Sequence, residues 1–425
     1  MSEQRGMPLT REPLSQSLLY PRVSLYALML AAAGIPLYIH LPRFASVNLE
    51  IGLGTVGVIL MGIRLIDLVQ DPLIGWVLDR WARAQRVFAA AAALGLAFGF
   101  PALFMLQPGE GITLRLTLVL VLLFSAYSLG MILLYGRSAM LAKQATTAEI
   151  TRMAAYREGG MLLGVVLVAI APTLLALLGA SAQGYPALGW GLGALALMTA
   201  VLARSIWRRP VQLGTALNLQ GLATSGAARL LLLALINSLP VAITSTLFLF
   251  FVEDRLDLAG QSGFLLLLFF ASAGLSVPLW ARVSRQLGPR NTLLIAMPLA
   301  VCAFVGAAFL APGNLIGFAI ICLASGVALG ADMVILPVMF SMALVRANLR
   351  ASTAFGIWSF AGKLGLALAA FLVLPALQLS GFEPGAENTP RALATLNGAY
   401  AILPCLLKLA AIGLAMTLPT EDTVT

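Results

Sequence analysis

Apolar runs long enough to cross a bilayer recur along the whole chain, each closed by a short break of polar, glycine or proline residues. They lie at about 21–40, 51–78, 85–106, 114–140, 155–180, 187–208, 229–252, 262–282, 291–311, 313–340, 352–378 and 391–417. A spanning helix needs roughly 20 apolar residues to match a hydrocarbon core about 30 Å thick. The pattern therefore predicts an all-α membrane protein with about twelve transmembrane helices. The longest polar connection, Ser205 to Arg229, divides the runs six and six, predicting an N-terminal half at 1–208, a central linker at 209–228 and a C-terminal half at 229–425. A weak internal echo supports two related halves: "GWVLDRWARAQR" after the second run resembles "LWARVSRQLGPR" after the eighth. Parallel six-helix halves are a transporter architecture, with the substrate site between them near the bilayer midplane.

Composition agrees: 60% of the 425 residues are hydrophobic and 10% charged, with a mean hydropathy of +0.96, far from the balance of soluble domains. The net charge of +9 does not point to nucleic acid, because the basic residues concentrate in alternate loops. Arg5, Arg11 and Arg22 precede the first run, Arg80, Arg83 and Arg86 follow the second, and Lys143 and Arg152 follow the fourth. Arg204, Arg208, Arg209 and Arg229 flank the central break, Arg282, Arg285 and Arg290 follow the eighth run, and Arg346 and Arg350 follow the tenth. The intervening loops carry few arginines beside acids such as Glu110, Glu253, Asp254 and Asp257. The positive-inside rule then places both termini in the cytoplasm. The first run is long enough to span and lacks a cleavage pattern, so it is expected to remain as helix one.

No phosphate loop, paired metal ligand or nucleophile motif occurs, which points away from an enzyme. Cys302, Cys322 and Cys405 all fall within predicted helices, and the single His40 sits at a helix end as an interfacial residue. The chemistry lies in the charges inside the apolar runs. In "RLIDLVQDPLIGWVLDR" (64–80), Asp67 and Asp71 are one turn apart on one helix face, with Arg64 a turn below. A charge at mid-bilayer costs roughly 2.5–3.5 kcal/mol, so such groups face the bundle interior or a watered cavity. Two neighbouring carboxylates want a positive charge between them, and a hard cation such as Na⁺ or a proton satisfies that need; an internal salt bridge that only rigidifies the bundle is the alternative. Lys363 lies well inside "FGIWSFAGKLGLALAAF" with no acid nearby in sequence, so its partner must come from another helix or from substrate. Asp332 is also intramembrane, Lys408 is expected to snorkel from a helix end, and Glu158, beside Arg157, is expected to pair with a neighbouring cytoplasmic arginine.

These segments resemble the glycoside-pentoside-hexuronide:cation symporters, the melibiose permease-like branch of the major facilitator superfamily. The resemblance begins with "RLIDLVQDPLIGWVLDR" and runs in order through "EITRMAAYREGG", "GADMVILPVMF", "AFGIWSFAGKLGLAL" and "GFEPGAENTPRALATLNGAYAILPCLLK". It implies a major facilitator fold in which Asp67, Asp71 and Ser128 bind the coupling cation, Na⁺ or H⁺, without other cofactors. It places Arg64, Tyr135, Arg157 and Lys363 around the substrate, and it makes Asp79 and Arg80, with Arg86 and Arg285, a gate on the cytoplasmic side. Where melibiose-type members use acids of helices one and four to bind sugar hydroxyls, this chain has Gly34 and Met131. That departure favours an anionic or less hydroxylated solute. The expected function is secondary active, cation-coupled symport of a sugar-like or anionic small molecule, by alternating access, in a bacterial inner membrane. An exporter or lipid-like solute carrier on the same fold, or a non-transporting sensor, are the alternatives. The partners implied are the solute and the lipid bilayer, with no nucleic acid and no obligate protein partner.

Overall fold

The computed structural model describes residues 18–37, 41, 44–177, 184–209, 214–383, 385 and 387–418. His40, Arg5 and Arg11 lie outside the described residues. Among the described residues twelve long helices follow one another: α1 (Leu19–Ile35), α2 (Leu53–Arg80), α3 (Gln85–Phe104), α4 (Ile112–Gly136), α5 (Thr147–Leu177), α6 (Gly184–Ala203), α7 (Ala227–Phe250), α8 (Ser262–Leu287), α9 (Pro289–Val305), α10 (Leu315–Arg346), α11 (Ala351–Leu379) and α12 (Pro390–Met416). The last is interrupted by a π-helical turn at Gly398–Ile402. Among the described residues nine of these are long and apolar enough to span a membrane. The remaining three are α1, α2 and α5, and α2 is the helix that carries the charged stripe.

Within the described residues each predicted run contains a helix, with boundaries displaced by up to eight residues. α5 begins at Thr147 rather than near 155, and α10 continues to Arg346 rather than ending near 340. Hydropathy marks where the apolar slab ends, whereas backbone hydrogen bonding continues into the polar turn beyond it.

Small residues bring the helices together, as expected where lipid supplies no hydrophobic drive between them. Gly160 and Gly164, one turn apart on α5, lie against the backbone of Ser24 and Leu28 on α1. Gly326 and Gly330 on α10 stand in the same way against Phe269 and Ala273 of α8. A β-carbon at any of these four positions would collide with main chain. Large apolar side chains such as Val58, Leu275, Phe309 and Phe371 remain exposed on the outside, where a bilayer would cover them.

The halves meet chiefly through α2 against α11, and through α5 against α8 and α10. The α2–α11 contact is tightest toward the end that bears the arginine-rich loops, here called the basic end. There Gly75 abuts the Ser352 carbonyl, and a β-carbon on Gly356 would lie 2.5 Å from the Asp71 carbonyl oxygen. The connection between α6 and α7 holds a short helix, Leu219–Thr224, capped by the Asn218 side chain. It is pinned to the α10–α11 loop: Thr215 N–H donates to the Asn348 carbonyl at 2.7 Å and Arg350 N–H donates to the Thr215 carbonyl at 3.0 Å.

Candidate functional site

One turn of α2 places Asp67 and Asp71 on the face turned to α11, where both side chains are fully buried. Lys363 reaches them from α11. Its Nζ lies 3.1 Å from Asp67 Oδ2 and 2.8 Å from Asp71 Oδ2, and it donates to Ser128 Oγ of α4 at 3.0 Å. The three groups expected to coordinate a cation thus converge on one ammonium. Arg64 Nη1 adds a second positive charge 3.3 Å from Asp67 Oδ2 and stands over the Phe124 ring. Gln70 Nε2 donates to Asp67 Oδ1 at 2.8 Å and is itself oriented by Ser125, whose hydroxyl donates to Gln70 Oε1. Ser359 donates to Asp71 Oδ2. Two carboxylates therefore face two cations, which meets the requirement that buried charges be compensated. The compensation is uneven in detail, since Asp71 Oδ1 is buried with no hydrogen-bond partner.

Beside this cluster lies a cavity of about 460 Å³ bounded by α4, α7, α10 and α11. Of the residues assigned to substrate from the sequence, Met131, Tyr135 and Lys363 line it, while Gly34, Arg64 and Arg157 do not. Gly34 is buried on α1. Arg157 is 1% exposed. Its Nε lies 2.8 Å from Glu158 Oε1 and its Nη1 donates to Ser138 Oγ at 3.1 Å. Its guanidinium covers the Tyr135 ring at 3.8 Å, and the Tyr135 hydroxyl donates to Glu158 Oε1 at 3.1 Å. The partner of Glu158 is thus its own chain neighbour together with Tyr135, inside the bundle. Arg157 supports the cavity wall through Tyr135.

The opposite wall corrects the reading of Lys408. It does not snorkel: it is only 7% exposed and turns inward from α12 to Asp332 of α10. Lys408 Nζ also donates to Asn237 Oδ1 of α7 at 2.6 Å, while Asn237 Nδ2 donates to Asp332 Oδ2 at 3.0 Å. Asp332 Oδ1 has no partner, and both Asp332 and Asn237 line the central cavity. The cavity therefore lies between two ion-paired clusters, one joining the two halves through Lys363 and the other within the C-terminal half.

At the basic end, Asp79 closes α2 onto α11. Its carboxylate accepts from Ser352 N–H at 3.2 Å, Thr353 N–H at 2.7 Å and the Thr353 hydroxyl at 2.8 Å. These are first-turn N–H groups of α11, which have no helical acceptor and sit at the positive end of the helix dipole. Arg137 Nη1 lies 3.7 Å from the same carboxylate, and its Nη2 donates to the Leu78 carbonyl at 2.8 Å. Burial draws the Arg137 pKa downward and the neighbouring Asp79 charge opposes that shift. Of the other residues assigned to the gate, Arg80, Arg86 and Arg285 are exposed. Asp79→Asn is expected to lower stability in detergent by about 1.5–3 kcal/mol, the usual worth of hydrogen bonds to a charged group. Chemical denaturation measures this, and unchanged stability would mean that the carboxylate does not hold the junction.

Arg137, Thr353, Ser359, Gln70 and Asn237 escape sequence reasoning, because each gains its role from a partner on a distant helix. Arg137 carries the nearest thing to a signal, an arginine at the foot of a spanning run. Among the described residues no group of three or more His, Cys, Asp or Glu side chains is placed to hold a metal ion.

Two half-bundles of spanning helices around a central cavity with intramembrane ion pairs define a polytopic solute carrier. The family model for MFS/sugar transport proteins matches residues 23–422, and the chain belongs to that family, within the major facilitator superfamily. It is a multi-pass membrane transporter rather than an enzyme. No curated protein matches the chain. Solved structures with the same fold include the E. coli fucose:proton symporter, at 14% identity over 96% of this chain and 100% of that one, with a TM-score of 0.69. A bacterial homologue of the iron transporter ferroportin, in an outward-facing state, shares 15% identity over 92% of this chain and 99% of that one, with a TM-score of 0.68. The human organic anion transporter MFSD10 shares 16% identity over 93% of this chain and 100% of that one, with a TM-score of 0.64.

Proposed function

We propose that the protein is a proton-coupled symporter of a small organic anion, of the uronate type, in a bacterial inner membrane with the basic end facing the cytoplasm. The observation that carries this reading is the Lys363 ammonium lodged among Asp67, Asp71 and Ser128. A sodium ion would have to displace that ammonium from its ligands. A proton taken up at Asp71 Oδ1 breaks no existing hydrogen bond, because that atom has none. Neutralising one acid loosens Lys363, which lines the central cavity and is then able to bind an anion there. Proton and solute binding thereby favour each other, since each depends on the same side chain.

The rest of the cavity fits a solute charged at one end. Asn237, Ser238 and Ser359 offer hydrogen bonds, and Trp358 offers a flat apolar face. Kinship with the glycoside-pentoside-hexuronide branch is part of the proposal and rests on the α2 stripe, Arg157 and Lys363. Apolar lining by Met131, Val241, Met333 and Leu366 favours, as a second reading, an amphipathic anion carried outward by proton exchange.

Proteoliposomes with an imposed proton gradient test the proposal against a panel of uronates, neutral glycosides and amphipathic carboxylates. Inward, protonophore-sensitive accumulation of a uronate is expected. Exclusive uptake of neutral glycosides would sink the anion assignment, and proton-driven export of an amphipathic carboxylate would establish the second reading. A sensor would move none of them.

A further inference from the structure

The two junctions between the halves are built differently at the basic end. At the first, α2 supplies the Asp79 carboxylate to the N-terminus of α11. At the second, α8 meets the start of α5, and the residue that arrives is Ser284, followed by Arg285. Between them lies a pocket of about 390 Å³ lined by Thr147, Thr151, Ser284, Arg285, Arg290 and Asn291, among others, with no acidic residue in its wall.

Four features of this pocket select an anion. The N-terminus of α9 opens onto it with first-turn N–H groups that lack a helical acceptor, while α5 begins beside it with its Glu149 N–H capped by the Thr146 hydroxyl. Ser284 is only 4% exposed, yet its hydroxyl has no hydrogen-bond partner. Arg290 donates from Nη2 to the Met416 carbonyl at 2.7 Å, which leaves its Nε buried and unpartnered. Arg285 is exposed at the rim. Glu149, the acid nearest on α5, is turned away to Tyr20 and Arg152. The donors are thus arranged around one space, and the acceptor that Asp79 provides at the first junction has no counterpart on α8.

We propose that this pocket binds a phosphate group, which joins α5 to the α8–α9 turn as Asp79 joins α2 to α11. Two arginines, the buried Ser284 hydroxyl and the N-terminus of α9 suit a multiply charged tetrahedral oxyanion. The group comes either from an anionic phospholipid headgroup at the membrane surface or from free phosphate. Because the pocket spans both halves, its occupant stabilises the state in which the basic end is closed.

The test uses the full chain in nanodiscs of phosphatidylcholine, alone or mixed with phosphatidylglycerol, with or without inorganic phosphate in solution. Thermal unfolding is followed for the native chain, for Arg285→Gln combined with Arg290→Gln, and for Ser284→Asp. The native chain is expected to be stabilised by phosphatidylglycerol or by phosphate, and which of the two acts identifies the source. The double variant is expected to need about tenfold more of the active probe for the same shift, given the usual strength of charge-assisted bonds. Ser284→Asp supplies an internal carboxylate and is expected to respond to neither probe. An equal response in the native chain and the double variant, or no response of the native chain to either probe, would overturn the proposal.

Discussion

Lys408→Met is expected to cost about 3–5 kcal/mol of stability, the penalty for leaving one member of a buried ion pair without the other. Among the described residues Lys408 is the only cation ion-paired with Asp332, and Asn237 cannot neutralise a carboxylate. Adding Asp332→Leu to Lys408→Met is expected to recover most of the loss, because an apolar pair of similar volume avoids the desolvation of both charges. Denaturation of the two variants in detergent decides this. Equal stability of Lys408→Met and the native chain would mean that the lysine does reach solvent, as its sequence position first implies.

Asp71→Asn is expected to abolish accumulation while sparing downhill exchange of the solute. Uptake of one proton with one monovalent anion moves no net charge, so the pH gradient alone drives it, and each pH unit, about 1.4 kcal/mol, supports roughly tenfold accumulation. Without a proton-accepting group at that position the ratio should fall to about one. Asp67→Asn is expected to be milder, since Gln70, Arg64 and Lys363 all remain within reach of the substituted side chain. Accumulation ratios and counterflow, measured in the same proteoliposomes, separate the two effects. Undiminished accumulation by Asp71→Asn would remove this residue from the coupling step.

The charged stripe on α2 was legible in the sequence because a helix fixes which residues share a face, and a membrane makes every interior charge conspicuous. Lys363 was legible as a residue needing a remote partner; which partner depends on α2 and α11 crossing at Gly75 and Gly356, and no local pattern encodes that crossing. Lys408 was misread for a related reason. Nearness to the end of a run measures depth along the helix, whereas its role depends on the side of α12 from which it projects, toward Asp332.

Arg157 and Glu158 show a further limit. Adjacent residues on a helix do not ordinarily face one another, yet the arginine folds back so that Nε meets the Glu158 carboxylate, with Tyr135 beside both. The junction at Asp79 was visible as a motif, but its closing partners were not. They are backbone N–H groups of α11, and they become acceptor-seeking only because a helix happens to begin there.

On the proposed mechanism Lys363 acts as a tethered cation in the place a coupling ion would otherwise take. Thermal stability across sodium concentrations at fixed ionic strength tests this without a known substrate, using the native chain, Lys363→Met, and Lys363→Met combined with Asp71→Asn. The native chain is predicted to show no sodium-specific rise, Lys363→Met to gain one as sodium enters the emptied acid pair, and the combined variant to lose it again. A sodium-specific rise in the native chain that Lys363→Met abolishes would contradict the account.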